Sequence, residues 1–180
     1  MTQVHRIEGR RIDLTVRPGV RRILSGAAIA RAAAAALEAA GAPHGASLSI
    51  VLTDDAELAD LNATHLGQVG PTDVLSFPLL EPSVFPPHPG RVEGPAGATS
   101  NAFRLPRGAR LHLGDIAISI ERAIDQASAG RGGQTGNVRW SPADELRLLV
   151  THGALHVCGW DHADPAEEAA MRALEMRLLG

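Results

Sequence analysis

Residues 141–162, SPADELRLLVTHGALHVCGWDH, constrain the fold more than any other stretch of the chain. Ser141 is a good helix cap, Pro142 suits the first helical position, and Asp144 and Glu145 complement the positive end of the helix dipole. The spacing therefore predicts one helix through LRLLVTHGALHV, with His152 and His156 one turn apart on the same face. Gly159 can take the left-handed conformation that ends a helix, and the turn it makes gives His162 a way back toward the other two imidazoles. Two ligands from a helix and a third from the next turn form one triangular face around an ion, with a fourth position open to water. The bland alternative is two exposed helix histidines and a third in a loop.

The rest of the chain supplies a sheet for that helix. HRIEGRRIDLTV contains two short segments rich in branched residues, read as strands ending at Pro18. Residues 26–40 are alanine-rich and should be helical, with Gly41 as the stop. SLSIVLT alternates and reads as a strand with Leu48, Ile50 and Leu52 on its apolar face. Asp54 followed by Glu57 is a capping-box pattern, opening a helix that Gly67 closes. PTDVLSFP reads as a turn shaped by Thr72 and Asp73, then a strand whose Pro78 places its end at a sheet edge. LHLGDIAISI is a strand with Gly114 marking a bulge or a close backbone approach. ERAIDQASA is a helix, and Asp164, Pro165 and Glu167 begin the last one. Residues 81–110 and the segment GRGGQTGN are read as loops. The mixed order points to α+β or α/β around one small sheet, in a single domain over residues 1–180.

Composition narrows the chemistry. A lone cysteine forms no internal disulfide, so an ion must rely mainly on nitrogen and oxygen ligands. The net charge of -3 argues against a generic nucleic-acid binder. Arginines crowd residues 1–31 and acids crowd residues 141–180, and there is no lysine. The N-terminus lacks the apolar core of a signal peptide, and the alanine-rich run is broken by Arg31 and Glu38. The expectation is a cytoplasmic protein without a membrane span.

Cys158 falls about 200° around the helix from His156, so it should point away from the ligands as a small buried residue. The spacing His-x3-His-x5-His also matches a zinc-protease pattern whose first histidine is followed by a glutamate base. Gly153 occupies that position and cannot serve. Asp161 has three readings: it steadies a histidine ring, accepts a proton, or caps the turn. Ser76, on a strand with no histidine nearby in sequence, reads as an ordinary serine. His5, His44, His65, His88 and His112 read as ordinary surface or core residues.

HGALHVCGWDH resembles the H-G-x-L-H-x-x-G-[YFW]-D-H signature of the YbeY endoribonucleases, also called rRNA maturation factors. PTDVLSFP and LGDIAIS are similar to that family's other two signatures, in the same order, from about residue 46 to the C-terminus. The resemblance implies an α+β fold, a single small mixed sheet with helices packed on it. It places the metal site at the end of a helix and the following turn, with one zinc ion on His152, His156 and His162. It also implies a zinc-dependent, single-strand-specific endoribonuclease in 16S rRNA 3′-end maturation and ribosome quality control. Ribosomal RNA, the small ribosomal subunit and an Era-type GTPase would be its partners. Two features depart from the family. Leu66 stands where an arginine is usual, and the loop at residues 81–110 is longer, with Arg104, Arg107 or Arg110 able to supply charge from it. The alternatives are a non-catalytic, zinc-stabilised ribosome assembly factor and a metalloprotease.

Overall fold

The computed structural model describes residues 1–89, 110–129 and 140–180. The sequence readings of residues 90–109 and of GRGGQTGN lie outside these, as do Arg104 and Arg107.

Strands β1 (Thr2–Ile7) and β2 (Arg10–Val16) pair antiparallel, joined by Glu8 and Gly9, both at positive φ. That is the backbone of a two-residue hairpin turn, and glycine adopts it without strain. Helix α1 (Gly26–Ala39) then carries the chain across to β3 (Ser47–Thr53), which lies parallel to β2. Ser25 caps α1, and the helix buries Ala30, Ala33, Ala34 and Ala36, small enough to allow close packing. Helix α2 (Asp55–Leu66) leads to β4 (Val74–Pro78), and β5 (His112–Ser119) inserts between β3 and β4. The sheet order is β1-β2-β3-β5-β4, parallel in its centre and antiparallel at both edges. The fold is thus α+β with one mixed sheet, as the family resemblance implied. A 3-10 turn at Pro82–Val84 and helices α3 (Ile120–Ser128), α4 (Pro142–Val157) and α5 (Pro165–Leu179) complete the described elements.

The alternation of β3 has the predicted consequence: Leu48, Ile50 and Leu52 join Ile12, Leu14, Ile116 and Ile118 in the main core. Helices α1 and α4 bury Leu37, Leu146, Leu149 and Val150 in that same core. On the opposite face α2 covers Leu75 and Ala117 with Leu58. Each fully buried leucine or isoleucine contributes about 1.5–3 kcal/mol, so α4 is held firmly on the sheet.

Two local readings acquire physical causes. Gly114 follows a bulge: Ser47 pairs with His112 and Leu48 with Gly114, leaving Leu113 extra in β5. A Cβ at Gly114 would come within 2.3 Å of the Phe77 carbonyl oxygen, so β4 can pair closely only against a glycine. The α2 cap is half a box. Asp54 accepts the Glu57 N–H at 2.9 Å, but the Glu57 side chain turns instead to Thr53 and Arg17. No described helix is long and apolar enough to cross a membrane.

Candidate metal centre

Helix α4 begins with a full capping box. Ser141 accepts the Asp144 N–H at 3.2 Å, and Asp144 accepts the Ser141 N–H at 3.0 Å. From that start, four turns of helix carry His152 and His156 to its C-terminal end. Cys158 forms the cap, and Gly159 at φ 82 reverses the chain. The turn brings His162 within reach: its ring centroid lies 5.0 Å from that of His156 and 5.9 Å from that of His152. One ligand atom from each of the three histidines lies within 4.8 Å of the others, so the trio could hold a metal ion.

The hydrogen bonds of the two helix histidines show why a cation fits. His156 Nδ1 lies 2.8 Å from the Trp160 carbonyl oxygen, which only accepts, so Nδ1 carries the proton. His152 Nδ1 lies 2.7 Å from a carboxylate oxygen of Glu175 on α5, which fixes the same tautomer. In neutral rings both Nε2 atoms then present lone pairs, yet they stand 2.9 Å apart. Two lone pairs at that distance repel unless something positive lies between or beside them. Protonating His156 is disfavoured. Burial lowers the His156 pKa from 6.5 to about 4, with the neighbouring His152 and His162 adding to the effect. A divalent cation held by both Nε2 atoms would relieve the clash.

His162 differs. It is exposed, and among the described residues its ring has no hydrogen-bond partner. Its backbone is what the protein holds. Its N–H donates to Asp161 Oδ1 at 2.7 Å, and the Asp161 N–H donates to Glu167 Oε1 at 2.9 Å. Of the three readings of Asp161, this geometry favours the turn cap. The carboxylate that steadies a ring is Glu175, distant in sequence.

Cys158 is fully buried away from the trio, and burial pushes its thiol up to about 12. Gly153 faces the sheet: a Cβ there would meet Ile116 Cγ2 at 2.8 Å and Ser76 Oγ at 3.2 Å. A peptidase glutamate would not fit at this approach of α4 to the sheet. Thr72 and Asp73 shape the turn before β4 as expected, with Asp73 Oδ1 accepting from the Thr72 hydroxyl and the Val74 N–H.

His88, read from sequence as ordinary, packs onto the turn of the centre. Its side chain is 5% exposed, stacks on Trp160 with centroids 4.0 Å apart, and lies 3.3 Å from the Gly159 carbonyl oxygen. Pro82 lies close against Gly159 as well. No spacing rule connects residues 82–88 with 159–162, so only the folded chain reveals that bracket. Arg110 donates to the Gly45 carbonyl at 3.3 Å and does not line the cavities described next.

The histidines open onto a cavity of about 860 Å³ between α4, α5 and the turn before β4. Besides the three histidines, its ionisable lining among the described residues is Asp73, Glu145, Glu168, Glu175 and Arg172. Leu66, 58% exposed, stands at its rim. A second cavity of about 300 Å³ runs on from His156 past Ser76, Pro78 and Asp161.

In this α+β domain the central helix and the following turn present three convergent imidazoles to a groove, a geometry that could hold a metal ion. The profile described as endoribonuclease YbeY matches residues 22–180. The chain is 41% identical to an endoribonuclease YbeY of Symbiobacterium thermophilum, over 84% of this chain and 82% of that one. It is 42% identical to one of Salinispora tropica, over 80% and 79%. It is 35% identical to one of Roseiflexus castenholzii, over 94% and 91%. A solution structure from Thermotoga maritima is 20% identical over 92% of this chain and 86% of that one, with a TM-score of 0.49. The chain belongs to the endoribonuclease YbeY family.

Proposed function

We propose that this chain is a zinc-dependent endoribonuclease that cleaves single-stranded RNA, with His152, His156 and His162 as the metal ligands and one domain over residues 1–180. Its substrate is the 3′ end of precursor 16S ribosomal RNA, and it serves ribosome quality control in the cytoplasm. The small ribosomal subunit and an Era-type GTPase are its partners. The observation that carries the reading is the pair of Nε2 atoms 2.9 Å apart, both left with lone pairs by their Nδ1 bonds and opening onto a groove.

When bound, the ion supplies Lewis acidity and a water whose pKa falls to about 7. The protein's own work is positional. Glu175 and the Trp160 carbonyl hold two rings so that their free nitrogens converge. Glu167 and Asp161 hold the turn that delivers the third.

The non-catalytic assembly factor is favoured by one observation: Arg172, the one arginine among the described residues that line the groove, is exposed and already paired with Glu168 at 2.6 Å. The peptidase reading is disfavoured by the packing at Gly153. Incubating zinc-loaded protein and a His152→Ala variant with small-subunit precursor RNA separates them. Cleavage by the former alone supports the enzyme; cleavage by neither supports the scaffold.

A further inference from the structure

Strand β4 is the last strand of the sheet, and its outer edge borders the metal groove. Which of its backbone groups face that edge follows from the register. Ser119 N–H donates to the Asp73 carbonyl and Leu79 N–H donates to the Leu113 carbonyl, each between residues directly opposite in the β4–β5 register. Hydrogen-bonded pairs alternate in an antiparallel ladder, so residues 73, 75, 77 and 79 turn their backbone groups toward β5. Val74, Ser76 and Pro78 turn theirs outward. Pro78 has no N–H, which is why a proline is tolerated there. The Val74 N–H is taken by Asp73 Oδ1 at 2.9 Å. That leaves one outward donor, the N–H of Ser76, with no partner among the described residues.

Ser76 lines both cavities, and His156 lines both with it. Its side chain is engaged elsewhere, donating to the Gly153 carbonyl at 3.2 Å. Among the described residues lining the larger cavity, the Thr72 hydroxyl donates to Asp73 and Arg172 is paired with Glu168. A phosphodiester bound there therefore finds these two side-chain donors already engaged. Resting on the endoribonuclease reading, we infer that the backbone N–H of Ser76 is a binding contact for a non-bridging phosphate oxygen of the RNA strand. It is a donor that no residue-type pattern would disclose. An extended peptide adding to the same edge is a poorer fit, because a β-ladder needs alternating donors and this edge offers only one.

The test removes the N–H and keeps the strand. Ser76→Pro does this at an outward position, where Pro78 already sits two residues on and Leu75 is extended as a pre-proline residue must be. Ser76→Ala keeps the N–H and serves as the reference for loss of the hydroxyl. Zinc-loaded proteins are compared by cleavage of single-stranded RNA and by binding of an uncleavable 2′-deoxy oligonucleotide. Ser76→Pro should fall about 100-fold below Ser76→Ala in cleavage, as for other single preorganised backbone or amide donors. It should bind the deoxy strand about tenfold more weakly, with zinc stoichiometry unchanged. Replacing residue 76 by its α-hydroxy acid, an amide-to-ester change that retains the side chain, should reproduce the loss without any proline. Equal cleavage and binding by the proline and alanine variants would overturn the inference. If wild-type protein binds the oligonucleotide but cleaves no RNA, the enzymatic reading fails, and the binding ratio still decides the contact.

Discussion

The helix end and the turn beyond it contribute to one centre in different ways. His152 and His156 are half-buried, each with Nδ1 fixed by a bond of 2.7 or 2.8 Å, and both ride on a helix packed in the main core. His162 is exposed, its ring unheld, and only its backbone is tied down through Asp161 and Glu167. Were a metal held there, two of its ligands would be built in place by their Nδ1 bonds, and the third would be held only through its backbone.

If this contrast is right, removing one of the built ligands has the largest effect. His152→Ala should reduce zinc affinity by more than the about 10–100-fold expected for losing an outer-shell partner, and abolish cleavage, as titration against a chromophoric chelator and the RNA assay would show. His162→Ala should weaken zinc binding less, leaving a measurable two-histidine site. Equal losses for the two variants would remove the distinction between helix and turn.

Glu175→Gln comes next. It keeps an acceptor for His152 Nδ1 but removes the charge that raises the ring's basicity, so zinc affinity should drop by about tenfold. The metal-free protein offers a pH test of the same pair. Because the His156 pKa is lowered to about 4 in the folded state, the unfolded chain binds more protons between 6.5 and 4. Its contribution to stability is therefore present above 6.5 and is lost as pH falls through that window. Denaturation of chelator-treated protein at several pH values should show a midpoint that declines on acidification, and the decline should shrink in His156→Ala.

His88→Ala should act more mildly, through the turn. It removes the stack on Trp160 and the contact to Gly159, and a loss of about 1–2 kcal/mol of stability is expected from an aromatic contact and one buried hydrogen bond. Zinc affinity should weaken severalfold, because the turn bearing His162 loses a support. Thermal melts with and without zinc would separate the two effects.

What was legible in the sequence divides along the same line. The convergence of the three histidines followed from local rules: a capped helix, an i, i+4 pair and a glycine turn. The strands of β2, β3 and β5 were legible for similar reasons, since alternation and a single bulge glycine are properties of short segments. The supports of the centre were not. Glu175 reaches His152 from another helix, Trp160 contributes a carbonyl rather than its ring, and His88 meets Gly159 from 71 residues away in sequence. Gly153 was legible as a missing base but not as a packing requirement against Ile116. The capping box at Asp54 was half right because Arg17, remote in sequence, competes for Glu57.

The smallest effect is expected at Cys158, and it bears on whether the centre is open or closed. The residue is adjacent in sequence to the ligands yet faces the core, with its thiol pushed up to about 12 by burial. At neutral pH it is therefore a thiol and not a thiolate, inert to alkylation and unavailable as a ligand. Cys158→Ala should leave zinc affinity unchanged and cost about 1 kcal/mol of stability as a small cavity. Cobalt-substituted protein should show no sulfur-to-metal charge-transfer band, and iodoacetamide should label the residue only as fast as the chain unfolds. A thiolate band would mean that the helix end rearranges to give the metal a fourth protein ligand, and the vacancy that hydrolysis requires would be filled.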